Sequence, residues 1–267
     1  GDNYGRCDVG ADKKVMVEFI SANPTGPLHI GHGRQAIIGD VLARSLEAVG
    51  YEVTREYYYN DAGNQMNILG ISLWIRYQQL HWPDVVVPEG FYEGDYMCPL
   101  AEKFHKDHGD EYFLDSAPSE EQLKAGPEEE KTLALFRQHA ADNIVKLIDH
   151  DLRLLGIKFD SWKTETSLHD AGSVDEGIDK LRERGHIYEK DGATWFRSSD
   201  FGDEKDRVVV RSNGFKTYMA PDIAYHMDKH SRGFDQTVNI LGADHHGYTI
   251  RLKGAIEALS FCRLSQR

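Results

Sequence analysis

Between Ser21 and His32 the chain reads Ser-Ala-Asn-Pro-Thr-Gly-Pro-Leu-His-Ile-Gly-His. His29 and His32 are three apart, with Gly31 between them. An imidazole donates to a phosphate oxygen without the bulk of a lysine. Gly31 lets backbone approach a ligand closely, while Gly26, Pro24 and Pro27 shape the loop. Ahead of the loop lies an apolar run (Val15, Met16, Val17, Phe19, Ile20) that reads as a buried strand; an amphipathic helix follows. The histidines thus fall at a strand-to-helix junction. A helix N-terminus offers free N–H groups and the positive end of its dipole, so the junction suits a phosphate-bearing ligand.

Other polar groups stand where chemistry is done in α/β proteins. Glu18 lies inside the apolar strand, where a carboxylate is costly unless paired. It is either a ligand for a cationic group or an outward-facing strand-end residue. Asn23 contacts a ligand or stabilises the turn. Asn60-Asp61-Ala62-Gly63 follows a second strand, at the carboxyl end where ligands bind, yet Asn60 or Asp61 equally serves as a helix N-cap. Tyr218 and Asp222, four apart beside Pro221, would share a face in a first helical turn. Taken alone, Asp222 reads better as a first-turn acid favoured by the dipole. Gly242-Ala243-Asp244-His245-His246-Gly247 is a strand-end loop, better suited to nucleotide or substrate than to a metal, because no second ligand cluster appears at zinc spacing. Glu165 carries no local motif and reads as surface.

These residues need a scaffold. A strand over roughly 14–20, a helix over about 33–49 and a strand over 51–59 make a βαβ unit and a parallel sheet. Ile38, Val41, Leu42, Leu46 and Val49 mark the helix face expected to pack on that sheet. Helix resumes to about residue 80. Residues 81–155, punctuated by prolines and closed by a long helix from about 128, read as an α-rich insertion. Residues 156–260 return to the sheet fold, with a helix over 172–185, a hairpin turning at Asp191-Gly192 and strands near 208–210 and 237–241. Residues 1–12 read as an entry segment, 13–80 as the first half of the sheet domain and 261–267 as a tail. The fold class is α/β, a Rossmann-like parallel sheet with an inserted connective subdomain.

Composition bounds the partners. The chain has 267 residues, 31 Lys+Arg against 44 Asp+Glu, and a net charge of −13. That balance opposes broad nucleic-acid binding, so no DNA partner is expected, though a specific RNA on a local patch is compatible. No apolar run is long enough for a membrane span and no secretory leader is evident. The 3 cysteines form no C-x-x-C pair, which fits a reducing, cytoplasmic setting.

Taken together, Val17 to Arg34, Tyr59-Asn60-Asp61-Ala62-Gly63-Asn64-Gln65, Asp191 to Phe196, Asp206-Arg207-Val208, Tyr218 with Asp222 to His226, and Gly242 to Tyr248 resemble arginyl-tRNA synthetase of the bacterial type, a class I aminoacyl-tRNA synthetase. The resemblance implies a ligase that joins L-arginine to ATP as arginyl-adenylate and passes it to the 3′ end of tRNA(Arg). It implies that the guanidinium meets Asp222 and Glu165 with Tyr218 alongside, and that Ser21, Asn23 and Asp244 meet the α-amino and carboxylate end. Glu18 serves the arginine or braces the loop. ATP, carrying Mg²⁺ on its phosphates, is implied at His29, Gly31, His32, Gly242, Asp244, His245 and His246, with His29 and His32 in the catalytic role and no resident metal. A monomer is expected. The family's Lys-Met-Ser-Lys-Ser type loop and its anticodon-binding domain do not occur, so a weakly active or inactive catalytic fragment is expected. The alternatives are a non-catalytic arginine- or RNA-binding relative and a small-molecule adenylyl transferase.

Overall fold

A run of buried apolar residues fixes the centre of the fold. In the computed structural model, which describes residues 4–242 and 246–259, strand β1 (Lys14–Glu18) is buried from Val15 onward. Such a strand has neighbours on both sides. It pairs in parallel with β2 (Glu52–Tyr59) on one side and with β7 (Gln236–Asn239) on the other. With β3 (Ser161–Thr164) next to β2, the order among the described residues is β3-β2-β1-β7.

Helix α1 (Ile30–Ala48) connects β1 to β2, as a parallel crossover requires. It starts about one turn before the expected residue 33, and its buried face matches the expected one only in part: Leu42, Leu46 and Val49 are half-buried. Ala36, Gly39, Asp40 and Ala43 are buried, whereas Ile38 and Val41 are 49% and 58% exposed. Phe19 gives the reason. A Cβ on Gly39 would lie 2.1 Å from its ring, so only small residues permit so close an approach, and Ile38 and Val41 turn outward.

The chain divides into two compact units. The first comprises Gly1–Ser21, Arg34–Tyr58 and Phe159–Arg267. Besides the parallel sheet it holds α6 (Glu165–Asp170), α7 (Ser173–Glu183), α8 (Met219–Ser231) and α9 (His246–Ala258). Its second sheet runs β4-β5-β6, from β4 (Ile187–Lys190), β5 (Ala193–Phe196) and β6 (Arg207–Val210). The β4–β5 hairpin is antiparallel and turns at Asp191 and Gly192, both with positive φ, as expected for an Asp-Gly turn. Leu181, Phe196, Val209, Met219, Ile223 and Ala255 knit α7, α8 and α9 to this sheet.

The second unit comprises Ala22–Gly33 and Tyr59–Lys158. It takes in α2 (Asn64–His81) together with α3 (Met97–His108), α4 (Glu120–Ala125) and the long α5 (Glu130–Leu154). Its core is aromatic: Phe104 stacks on Phe136 at 4.0 Å and Tyr77 on Phe113 at 4.2 Å. Gly63, not Asn60 or Asp61, occupies the N-cap of α2, and no side chain caps that helix. No helix among the described residues is long and apolar enough to cross a membrane.

Close packing at Gly39 has a measurable consequence. Helix propensity alone would favour alanine there by about 1 kcal/mol. The clash with Phe19 should reverse the sign, and Gly39→Ala should lower unfolding free energy by about 1–3 kcal/mol in urea titrations. A stabilised variant would show that α1 does not press on β1 in this way.

Candidate active site

In the first unit, a cluster of charged and phenolic side chains assembles at the carboxyl end of β1. The turn leaving that strand is strained. Ile20 has φ +68° and Ser21 φ +47°, and the Ser21 N–H donates to Phe19 O at 2.9 Å, closing a three-residue turn around Ile20. A β-branched residue in the left-handed region is an outlier. The turn places the Ser21 hydroxyl 2.9 Å from Glu18 Oε1, where it donates, and 3.2 Å from the Tyr58 N–H, from which it accepts.

Glu18 is buried, so it is not an outward-facing strand-end residue, and the cation it meets is internal. Lys229 of α8, 2% exposed, donates to Glu18 Oε2 and, at 2.9 Å, to Asn239 Oδ1. Its ammonium also lies 4.1 Å from the centre of the Tyr225 ring, in cation–π contact. Tyr225 stacks on Tyr58 at 4.2 Å and donates to Glu56 Oε1 at 2.6 Å. Glu56, wholly buried, also receives both terminal nitrogens of Arg232, at 2.5 and 2.8 Å. Burial opposes its ionised form, but the Arg232 and Tyr225 hydrogen bonds prevail and hold its carboxyl below the usual range.

Asp222 sits in the first turn of α8 and accepts a hydrogen bond from the Tyr248 hydroxyl of α9. Burial pushes its carboxyl up to about 7; Glu18 and Glu165 add to the rise, while the Tyr248 bond and Lys229 oppose it. Glu165 opens α6 and is largely buried, not surface. It accepts from the Tyr58 hydroxyl at 3.3 Å, with His169 Nε2 3.6 Å away. Burial, with the charge of Lys229 adding, drives His226 far below its ordinary value, so its imidazole is neutral. Two further carboxylates, Glu18 and Glu165, are therefore close enough to perturb Asp222, with one resident ammonium committed to Glu18. Carboxylates from different elements, grouped in this way, have the chemistry to meet the planar fork of a guanidinium.

Tyr218 does not join them. It stands at the N-cap of α8, 74% exposed, and the phenol on Asp222 comes from Tyr248 instead. Sequence reasoning missed Tyr58, Tyr225, Lys229 and Tyr248. The signal for two of them was spacing: Asp222, Tyr225 and Lys229 recur at three and four residues along α8.

In the second unit, the His29–His32 turn is built as a helix start. His32 lies in the first turn of α1, and His29 just precedes it, accepting from the Gly33 N–H at 3.1 Å. The two rings stack at 3.8 Å. The Gly31 N–H donates to His29 Nδ1 at 3.1 Å and the His29 N–H to His32 Nδ1 at 3.3 Å. Burial, then the neighbouring His29, lowers the pKa of His32. Asn23 accepts from the Asn60 N–H at 3.1 Å and donates to Gln65 Oε1 at 3.3 Å, so it joins two loops of this unit. The Asn60 side chain in turn accepts from the Ala62 N–H at 2.8 Å. Tyr96 donates to Thr25 O at 2.6 Å and lies against Gly26.

Of the remaining expected ligand contacts, Gly242 is half-buried, while Asp244 and His245 lie outside the described residues. His246 begins α9, and its side chain is likewise outside them. Among the described residues no group of three or more His, Cys, Asp or Glu could hold a metal ion.

Comparison with known proteins follows the same lines. A family profile described as tRNA synthetases class I (R), catalytic domain, matches residues 2–261. An arginine–tRNA ligase of Thioalkalivibrio sulfidiphilus is 50% identical over 97% of this chain and 48% of its own length. One from Legionella pneumophila is 45% identical over 97% of this chain and 48% of its own. This chain thus spans about half the length of these curated relatives. A crystal structure ascribed to an arginyl-tRNA synthetase of Campylobacter jejuni superposes with a TM-score of 0.85 at 39% identity, covering 97% of this chain and 54% of that one. The Thermus thermophilus arginyl-tRNA synthetase shares the fold, with a TM-score of 0.67 at 21% identity over 93% of this chain and 46% of its own.

The raised carboxyl of Asp222 predicts a pH dependence. In the unfolded chain an aspartate titrates near about 4. Between there and about 7 the folded chain binds the extra proton. The contribution of Asp222 to stability is therefore full below about pH 4 and is lost as pH rises through about 7. Urea midpoints of the wild type should fall relative to those of Asp222→Asn from about pH 5 to about pH 8. A gap that stays constant across that range would show that Asp222 titrates normally.

Proposed function

Since the chain belongs to the family of class I tRNA synthetases of the arginine type, as its catalytic domain, we propose that it binds L-arginine through Glu165 and Asp222 and joins it to ATP as arginyl-adenylate for transfer to tRNA(Arg). One observation carries the substrate assignment. Asp222 stands half-buried in a carboxylate-rich cluster where its ionised form is unfavourable until a cation arrives, and the resident ammonium is already bound to Glu18. A guanidinium supplies the missing charge and a planar fork of donors.

Activation needs little proton chemistry. The arginine carboxylate is already a nucleophile at neutral pH. Its oxygen attacks the α-phosphorus of ATP, the bond to the β-phosphate bridging oxygen breaks, and pyrophosphate leaves. Catalysis is then positioning together with stabilisation of charge on the phosphates. His29, Gly31 and His32, at the N-terminal end of α1, are the groups we assign to the phosphates, where helix N–H groups and imidazole donors favour developing negative charge. The low pKa of His32 keeps that ring a neutral donor. Ser21, held by Glu18 and Tyr58, is assigned to the polar end of arginine. Mg²⁺ would arrive on the ATP phosphates. The reading includes a monomer at work in the cytoplasm.

Calorimetric titration tests the assignment. Asp222→Asn and Glu165→Gln should each weaken arginine binding by about 1.5–3 kcal/mol, and lysine should bind far less well than arginine in the wild type. Unchanged affinity in both variants would overturn it. For the phosphate site, His29→Ala and His32→Ala should lower the rate of arginine-dependent pyrophosphate exchange far more than they raise the KM for ATP. A pure KM effect would remove the histidines from the chemical step.

A further inference from the structure

Four carboxylates around the end of β1 are held in two ways. Glu18 and Glu56 are bound by cations, Lys229 and Arg232. Asp222 receives the phenol of Tyr248, and Glu165 the phenol of Tyr58. A cation that orients a carboxylate also neutralises it. A phenol orients it and leaves its charge in place. Burial and the neighbouring carboxylates push both Tyr58 and Tyr248 far above their ordinary range, so each remains a protonated donor at any working pH.

We propose that Tyr248 is a positioning and specificity-determining residue of the arginine pocket: by donating to Oδ2 of Asp222 it fixes the carboxylate so that Oδ1 meets the planar cation of the substrate with its charge uncancelled. This rests on the reading of Asp222 as a guanidinium ligand. Tyr248 reaches Asp222 from α9, a different element from α8, so the carboxylate is held from outside its own helix. The Glu18–Lys229 pair contrasts with it, because there the resident ammonium cancels the charge it positions.

The charged and titratable groups facing Asp222 are Glu18 from β1, Tyr58 from β2, Glu165 from α6, Lys229 from its own helix and Tyr248 from α9. The two carboxylates favour its protonated form, as burial does; Lys229 and the Tyr248 hydrogen bond favour the ionised form. Loss of the phenol therefore leaves Asp222 protonated to higher pH. The resulting defect in arginine binding is largest at and below neutrality and fades in alkali. A merely structural role for Tyr248 would weaken binding by the same factor at every pH.

The test is calorimetric titration of the full chain with arginine from about pH 6 to about pH 9, on the wild type and on Tyr248→Phe. Wild-type affinity should rise with pH through about 7. Tyr248→Phe should bind about tenfold more weakly near neutrality and come within about twofold of wild type at the alkaline end, and it should discriminate less between arginine and lysine. Equal affinity of the two proteins at every pH overturns the proposal, as does a loss of constant factor. So does a wild-type affinity that does not vary with pH, a result that requires no variant to fold. No arginine binding by the wild type at any pH overturns the reading of the pocket itself, and this proposal with it.

Discussion

The ion pair between Glu18 and Lys229 is the contact from which the rest of the first unit takes its geometry. Two charges taken out of water carry a desolvation penalty of several kcal/mol each, and the pair is tolerable only with further hydrogen bonds around it. Ser21 supplies one on the carboxylate side and Asn239 another on the ammonium side. The pair joins the end of the central strand to α8. Asp222, seven residues before Lys229 and so two turns earlier, is brought to the same face. Tyr225, between them, stacks on Tyr58 and so ties β2 to the same helix. The carboxylate proposed to bind substrate is thus placed by an interaction that is internal to the fold.

The two proposed sites are built on different physical devices. The first is a low-dielectric pocket, where burial raises the free energy of a lone carboxylate and so sharpens its preference for a cation. The second is a helix start, where backbone N–H groups and the dipole supply positive potential without a formal charge. In the second, the imidazole acceptors are engaged by backbone N–H groups of the same turn. That engagement fixes the ring orientations before any ligand arrives.

Local pattern made much of the scaffold legible. The βαβ unit follows from an apolar run, an amphipathic stretch and a β-rich stretch in order, and the β4–β5 turn follows from Asp191-Gly192. The histidine motif was legible because all its residues lie within one loop. The buried face of α1 was legible only in part, because apolar periodicity marks large side chains, and here close approach to Phe19 selects small ones at its centre. Nor were the tyrosines and the lysine of the pocket. Tyr225 meets Glu56 across 169 residues and Lys229 meets Glu18 across 211, separations that no window of local sequence spans. Glu165 reads as surface for the same reason, since its partner Tyr58 is 107 residues away. Tyr218 shows the converse: right spacing on a helix did not bring it to Asp222, because at the N-cap its side chain faces solvent.

The left-handed turn at Ile20 and Ser21 carries a thermodynamic trade. Residues held in such conformations raise the energy of the native state by about 1–3 kcal/mol each, a debt met by the buried strand beside them. A glycine in place of Ile20 would adopt the same angle without strain, but it would free the backbone and empty the buried site that the Ile20 side chain fills. Backbone ease and core packing therefore pull in opposite directions at one position. Packing prevails there, and the turn that holds the Ser21 hydroxyl is kept in shape by a side chain that points into the core rather than by a residue suited to its angle.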